Sequence, residues 1–253
     1  MNTIYIYIFV FFVLGTIMGS FYNVVGYRLP KRMSIVYPGS HCPKCNKKLI
    51  FMELIPIVSY IIQLGKCKQC QTKIPVFYPI FEFITGSLFA ISYAIFGLTP
   101  ELLIALTFSS VIIIMVISDI NYMIIPDELL LFGFITLAVF RFLNQGAALS
   151  IIVDSIIPFV ILLLIKMFGD YIFKKESLGG GDIKLMLVFG IVLGWQLTIF
   201  SIFLASFIAL PISLIILKIY KTNIIPFGPF LGFSALLIFF SKLDISWLLN
   251  IIM

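Results

Sequence analysis

Long apolar stretches, separated by short polar interruptions, run almost from one end of the chain to the other. Stretches of about 20 apolar residues can cross a hydrocarbon core of roughly 30 Å as single helices. We therefore expect an all-α polytopic membrane protein with about eight transmembrane helices. The predicted helices cover residues 4–26, 77–97, 101–118, 128–143, 148–170, 183–196, 198–220 and 227–251. A seven-helix alternative stays open, because only a break near Gly194 separates the sixth helix from the seventh.

The composition agrees with this class of protein. Hydrophobic residues make up 62% of the 253 residues and charged residues 11%, against about 25% charged residues in soluble domains. No basic residue precedes the first stretch and no small-residue cleavage site follows it, so we interpret it as a retained helix. The expected organisation is a transmembrane helix at 1–26, a polar loop at 27–76 and a transmembrane domain at 77–253.

The net charge of +6 is concentrated in the polar loop. Nine of the 17 lysines and arginines lie between Arg28 and Lys73. Loops rich in Lys and Arg stay in the cytoplasm, so this charge indicates topology and gives no support for a nucleic-acid partner. The N-terminus is then expected outside, and Asp119, Asp127 and Asp182 are all expected at the cytoplasmic face.

The same loop contains all four cysteines, as two C-x-x-C pairs. Two such pairs can present four thiolates to one tetrahedral Zn²⁺, and a polar segment of this size has too small a core to fold without help. Reduced, unliganded thiols remain an alternative, while a disulfide is disfavoured by the reducing cytosol. We expect a zinc-ribbon-like loop with one structural zinc held by Cys42, Cys45, Cys67 and Cys70.

His41 is the only histidine of the chain and directly precedes the first of these cysteines. With four sulfur ligands available, we interpret it as a bystander. The chain has no H-E-x-x-H motif, and a Ser-His dyad would have to borrow its histidine from the zinc loop. The sequence thus disfavours a metalloprotease and a serine protease.

Two aspartates stand at unusual places next to apolar helices, where charge is costly and function is the default interpretation. Asp119 ends an apolar run and is followed by a segment that is still largely apolar. Asp182 follows Gly179, Gly180 and Gly181, which permit close approach of another backbone and positive φ. A helix N-cap is the purely structural alternative for Asp182.

Together the two aspartates fit an aspartic protease. Such an enzyme needs two carboxyl groups so close that they share one proton, because like charges at that range cannot both form. The ionised member activates a water, and the protonated member polarises the scissile carbonyl and later protonates the leaving amine. The glycine run next to Asp182 could bind an extended peptide by main-chain pairing.

The order of motifs resembles the bacterial type IV prepilin peptidases over nearly the whole chain. The matching motifs, apart from the two C-x-x-C pairs, are Gly19-Ser20-Phe21-Tyr22-Asn23-Val24-Val25, Tyr27-Arg28-Leu29-Pro30, Glu53-Leu54-Ile55-Pro56, Tyr78-Pro79-Ile80-Phe81-Glu82, the segment from Asp119 to Pro126-Asp127, Gly179-Gly180-Gly181-Asp182 and Pro226-Phe227-Gly228-Pro229-Phe230. The resemblance implies a G-x-G-D membrane aspartic protease in the bacterial cytoplasmic membrane.

For the peptidase site, the resemblance implies that Asp119 and Asp182 are the catalytic pair. It also implies cleavage of prepilin or pseudopilin precursors on the cytoplasmic side, after a glycine that ends a short basic leader. Asp127 is the rival for the first position. In the family pattern the earlier aspartate is catalytic, so we assign Asp127 to capping or support.

The resemblance also implies N-methylation of the new terminus with S-adenosylmethionine as donor, attributed to the cytoplasmic loop and its neighbours. We expect Glu53 to serve the cofactor site and Glu82 to face the substrate. Phe77 replaces a residue that is basic in many members, and Tyr60 one that is commonly tryptophan. These departures, and the lack of a glycine-rich nucleotide motif, bear on methylation only.

Two alternatives remain at this point. The first keeps the peptidase and drops methylation. The second is a zinc-anchored scaffold or transporter in which Asp119 and Asp182 line a cation or proton path.

Overall fold

The computed structural model describes residues 2–174, 176, 178–220 and 225–243. The end of the last predicted helix, residues 244–251, lies outside them. The described residues contain ten α-helices and no strand, only two isolated bridges. We number the helices α1 (Asn2–Arg28), α2 (Phe51–Leu54), α3 (Val58–Ile62), α4 (Phe77–Phe96), α5 (Pro100–Tyr122), α6 (Asp127–Gln145), α7 (Ala148–Phe173), α8 (Gly180–Leu193), α9 (Trp195–Tyr220) and α10 (Gly228–Ser241).

The eight predicted helices correspond to α1 and to α4–α10, which confirms the all-α membrane class. Five helices in the described residues, α1, α4, α5, α7 and α9, are long and apolar enough to cross a membrane. The predicted count of eight crossings is not confirmed. With 14 residues each, α8 and α10 are only about 21 Å long. The chain is a multi-pass membrane protein.

The chain divides into two compact units, Met1–Ser118 and Asp119–Met253, and the division falls within α5. In the first unit, α1 packs closely along α4. A Cβ at Gly15 would lie 2.7 Å from the Thr85 carbonyl oxygen, and one at Gly19 would lie 2.8 Å from the Glu82 Cα. Glycine at these positions lets the two backbones approach in a medium where packing replaces hydrophobic drive.

In the second unit, a charged pair from α6 and α7 contacts the break between α8 and α9. From the sequence, Asp154 is expected near the outer end of its helix, where hydration is cheap. The structure instead pairs Asp154 Oδ2 with Arg141 at 2.6 Å, and both side chains are only 15% exposed. Arg141 also donates to the carbonyls of Gly190 and Ile191 at the end of α8, at 3.3 and 2.5 Å. The guanidinium thus gives the Ile191 carbonyl a partner at the helix end, and it is a second donor to the Gly190 carbonyl, which also accepts the Gly194 N–H.

Candidate active site and metal centre

Asp119, the first predicted catalytic residue, lies in the last turn of α5 and is 6% exposed. The predicted helix ended at residue 118, but α5 continues to Tyr122, so regular backbone holds the carboxyl group. Asp119 Oδ2 accepts a hydrogen bond from the Gly228 N–H at 3.0 Å. Gly228 is the first residue of α10, so the carboxyl group meets the positive end of a helix.

Asp182 lies in the first turn of α8, which begins at Gly180. The N-cap residue is Gly179, and no side chain caps this helix end, so the N-cap interpretation of Asp182 is wrong. A Cβ at Gly179 would lie 3.1 Å from Asp182 Oδ2. Glycine at that position therefore leaves room for the carboxyl group to turn back toward the helix start.

The negative charge of Asp119 affects the protonation of Asp182. The pKa of Asp182 is raised to about 7, first by burial, which disfavours the charged form, and then by the negative charge of Asp119. Near neutral pH, Asp182 therefore holds a proton for part of the time. The structure brings together the two aspartates that the sequence singles out, although they are far apart along the chain.

The connector between α5 and α6 packs against the start of α8. A Cβ at Gly181 would lie 2.9 Å from the Ile125 Cβ. Next to this contact, Lys184 Nζ donates to both carboxylate oxygens of Asp127 at 2.7 and 2.8 Å. Asp127 is the first residue of α6 and follows the N-cap, Pro126, so it does not cap the helix. Its contact with Lys184 supports the site by joining α6 to α8.

The glycine run, Gly179 to Gly181, leaves space because it has no side chains, and its backbone angles are ordinary. Among the described residues, glycines with positive φ occur elsewhere, and Gly179 has a φ of −66°. Gly179 and Gly180 are exposed. A Cβ built at Gly180 would have no described atom within 4 Å. The backbone at Gly180 therefore faces open space.

The four cysteines form a compact cluster in the first unit. Their Sγ atoms all lie within 4.8 Å of one another. Cys42 and Cys70 are separated by 3.7 Å between sulfurs, and Cys45 and Cys67 by 3.9 Å. A tetrahedral zinc with Zn–S bonds of about 2.3 Å places its sulfurs about 3.8 Å apart. The donor set and its spacing therefore fit a metal ion such as zinc.

Each cysteine pair sits in the same local structure. The Cys42 N–H donates to the carbonyl five residues later at 2.9 Å, and the Cys67 N–H does the same at 2.9 Å. The residue four positions after each of these cysteines has a φ of 55°. One isolated antiparallel bridge closes each turn. His41 is not part of the sulfur cluster, and its Nδ1 lies 2.9 Å from the Gly39 carbonyl oxygen.

The two predicted glutamates are buried in the first unit and already engaged. Glu53 accepts hydrogen bonds from Lys47 Nζ at 2.7 Å and from the Ile50 N–H at 3.1 Å. These two donors hold the pKa of Glu53 below its usual value. Glu82 Oε2 accepts a hydrogen bond from the Ile57 N–H at 2.7 Å. Glu53 thus stabilises the polar loop internally, and Glu82 binds the loop to α4.

Gly228 is the site residue that reasoning from the residues alone missed. It lies 109 positions from Asp119 in the sequence, and no local spacing connects the two. The only signal was the Pro226-Phe227-Gly228-Pro229-Phe230 motif, which carried no assigned role.

Comparison with known proteins finds matches along most of the chain. Residues 13–96 match the family described as Bacterial Peptidase A24 N-terminal domain, and residues 106–214 match the Type IV leader peptidase family. A "Prepilin leader peptidase/N-methyltransferase" of Bacillus subtilis (strain 168) is 35% identical, over 90% of this chain and 92% of its own length. Proteins of the same name from Vibrio cholerae and Neisseria gonorrhoeae are 32% and 31% identical, over 94% and 93% of this chain. No solved structure matches the chain.

The contact at Gly181 predicts a difference between two neighbouring glycines. Gly181→Ala should destabilise the protein by about 1–3 kcal/mol, because the new methyl group overlaps the Ile125 Cβ and must displace the α5–α6 connector. Gly180→Ala is the matched control, since its methyl group meets open space. Thermal unfolding in detergent measures both, and equal unfolding temperatures for the two variants would contradict the packing described here.

The raised pKa of Asp182 predicts a pH-dependent stability difference. The folded-state pKa of about 7 exceeds the unfolded value of about 3.9, so the folded state binds more protons between these pH values and loses stability as pH rises. Asn cannot ionise. The stability of Asp182→Asn relative to wild type should therefore increase between pH 5 and pH 8 in thermal unfolding. A difference that does not change with pH would argue against the raised pKa.

Proposed function

Because the chain belongs to the type IV leader peptidase family, we propose that it cleaves the short leader from prepilin or pseudopilin precursors and then N-methylates the new terminus. The observation that carries the peptidase is the convergence of Asp119 and Asp182 in one weakly hydrated site, together with the effect of the Asp119 charge on Asp182. A pair of carboxyl groups sharing a proton is the working unit of an aspartic protease.

The contacts of the two aspartates suggest their separate roles. The Gly228 N–H and the start of α10 stabilise a negative charge on Asp119, so Asp119 acts as the general base. It takes a proton from the attacking water. Asp182 holds the other proton, polarises the scissile carbonyl and delivers that proton to the leaving amine. The pair ends the cycle with the same number of protons that it had at the start.

The glycine run is the proposed binding surface for the precursor. Gly179 and Gly180 are exposed and lie shortly before Asp182 in the sequence. The open space at Gly180 admits a peptide backbone. An extended segment that pairs with these residues would bring its scissile bond toward the aspartates by main-chain hydrogen bonds. Gly181 contributes differently, because its backbone is covered by Ile125.

The proposed location is the bacterial cytoplasmic membrane, with the N-terminus outside. The basic loop at 27–76 then lies in the cytoplasm by the positive-inside rule, and the catalytic pair lies at the same face of the bilayer. The domain division proposed from sequence, 1–26, 27–76 and 77–253, follows this topology. Substrate would approach through the bilayer, since the precursors carry a hydrophobic helix.

The polar loop is the proposed metal and methylation region. One structural zinc, held by Cys42, Cys45, Cys67 and Cys70, would fix the two cysteine turns on each other. S-adenosylmethionine is the proposed donor, and its positively charged sulfonium supplies an activated methyl group when bound. Glu53 remains the proposed support of that site, because it anchors the loop through Lys47.

The catalytic assignment predicts the behaviour of three aspartate variants. Asp119→Asn and Asp182→Asn should each lower the cleavage rate of a prepilin by more than about a hundredfold, because each removes one partner of the proton exchange. Asp127→Asn should lose less than about tenfold, because it only weakens the contact with Lys184. Cleavage is scored by the mobility shift of the co-expressed precursor. Full cleavage by either of the first two variants would remove that residue from the catalytic role.

The zinc assignment predicts a metal content of about one per chain. A protein with Cys42→Ser and Cys67→Ser should lose it, whereas His41→Ala should keep it, because His41 lies outside the sulfur cluster. Elemental analysis of the purified protein measures the metal. Stoichiometric zinc in the cysteine variant would refute the proposed ligands.

A further inference from the structure

Three unusual features meet at the loop end of the α1–α4 pair in the first unit. Asn23 of α1 has a buried oxygen without a partner, Glu82 of α4 is a buried carboxyl group, and Ile57 has a backbone angle that its residue type rarely adopts. Each is costly on its own, and neither the peptidase site nor the cysteine cluster uses them.

The amide of Asn23 is only half satisfied. The residue is 3% exposed, and its Nδ2 donates to the Tyr78 carbonyl at 3.3 Å. Its Oδ1 has no hydrogen-bond partner among the described residues. Most buried polar atoms have a hydrogen-bond partner, so we expect Asn23 Oδ1 to accept from a donor outside the chain.

Glu82 is a second acceptor without a cation. It is 8% exposed, and its Oε2 accepts a hydrogen bond from the Ile57 N–H at 2.7 Å. The Ser20 side chain approaches the same carboxyl group from α1. No lysine or arginine in the described part of the chain forms an ion pair with it. A buried carboxylate without a positive partner is unfavourable, and a cation would relieve this.

The backbone next to Glu82 is strained. Ile57 has a φ of 62° and a ψ of −53°, a conformation that is a genuine outlier for a β-branched residue. The Ile57 N–H donates the hydrogen bond that Glu82 accepts. Strain of this kind persists only where the surroundings impose it, and it often marks a functional site.

The missing partner must donate hydrogen bonds and carry positive charge. An ammonium group does both, with three N–H donors and no acceptor. Asn23 Oδ1 and the carboxylate of Glu82 can each accept one of these donors. An anion would be repelled by Glu82, and an apolar group would leave Asn23 Oδ1 unpaired.

We propose that Asn23 and Glu82 bind the new N-terminal ammonium group of the processed precursor and present it for methylation. This inference rests on the proposed function and names the site for its second reaction. The Glu82 carboxylate has acceptor positions besides the one that the Ile57 N–H occupies, so the ammonium group can bind beside that N–H. Glu82 can then take one proton from the ammonium, which leaves a neutral amine with a free electron pair.

Two variants test the site in the full-length membrane protein, with a prepilin and S-adenosylmethionine. Glu82→Gln keeps an acceptor for the Ile57 N–H and removes the charge, and Asn23→Leu removes the amide at similar volume. Ser87→Ala is the control, because that hydroxyl bonds only within α4, to the Phe83 carbonyl at 2.9 Å. Intact-mass spectrometry separates precursor, cleaved product and methylated product.

In both variants the methylated fraction of the cleaved product should fall at least tenfold; Ser87→Ala should match wild type in both reactions. An unchanged methylated fraction in both variants overturns the inference and leaves the peptidase intact. Cleavage by wild type without any methylation overturns it as well. If wild type does not cleave, the proposed function itself fails.

A second measurement needs only the wild-type protein and decides the matter if the variants do not fold. A synthetic peptide that begins at the residue after the cut, with a free amine, should inhibit methylation of the processed precursor. The same peptide with an acetylated amine should inhibit at least tenfold less. Equal inhibition by the two peptides would show that no ammonium site exists here.

Discussion

Two carboxyl groups in a weakly hydrated site cannot both carry a negative charge, and the active site proposed for the second unit depends on that constraint. Asp119 is buried at the end of α5 and accepts the Gly228 N–H, while Asp182 stands half-buried at the start of α8 with a pKa raised to about 7. The end of α5 and the starts of α8 and α10 supply these groups. The ion pair of Asp127 with Lys184 joins α6 to α8, and Ile125 packs closely against Gly181 at the start of α8.

The sequence predicted the helices and the site residues to different extents. Apolar runs located α1 and α4–α9 within a few residues, because the length of a membrane helix is set by the bilayer. The start of α10 was also predicted, but α10 ends at Ser241, well before the predicted end at residue 251. The cysteine cluster followed from the C-x-x-C spacing, since zinc dictates that spacing locally. The number of crossings did not follow, because α8 and α10 are apolar but short.

Long-range contacts could not be predicted from spacing along the chain. Gly228 reaches Asp119 across 109 positions, and Arg141 pairs with Asp154 and the end of α8 instead of standing in water. These contacts depend on how helices pack, which hydropathy does not encode. The interpretation of Asp182 as an N-cap failed for a local reason: Asp is a favoured cap, but α8 begins at Gly180 and not at the predicted residue 183, which places Gly179 at the N-cap.

The first unit contains both paired and unpaired buried polar groups. Lys47 pairs with Glu53 there, as Arg141 pairs with Asp154 in the second unit. Asn23 Oδ1, in contrast, has no partner among the described residues, and Glu82 accepts the N–H of a strained turn. Breaking a buried pair costs about 3–5 kcal/mol, so a membrane protein has reason to satisfy such groups. A buried polar group without a partner calls for an explanation, and in the first unit the explanation proposed above is a bound substrate group.

Infrared titration of the carboxyl C=O band of the protonated aspartate most directly tests whether the two aspartates act as a pair. The proposed pair requires one protonated aspartate in the wild-type protein that titrates near pH 7, because the pKa of Asp182 is raised to about 7. In Asp119→Asn, the same band should titrate at lower pH, because the neighbouring negative charge is gone. An identical midpoint in wild type and Asp119→Asn would mean that the two carboxyl groups do not share a proton, and the proposed mechanism would be wrong.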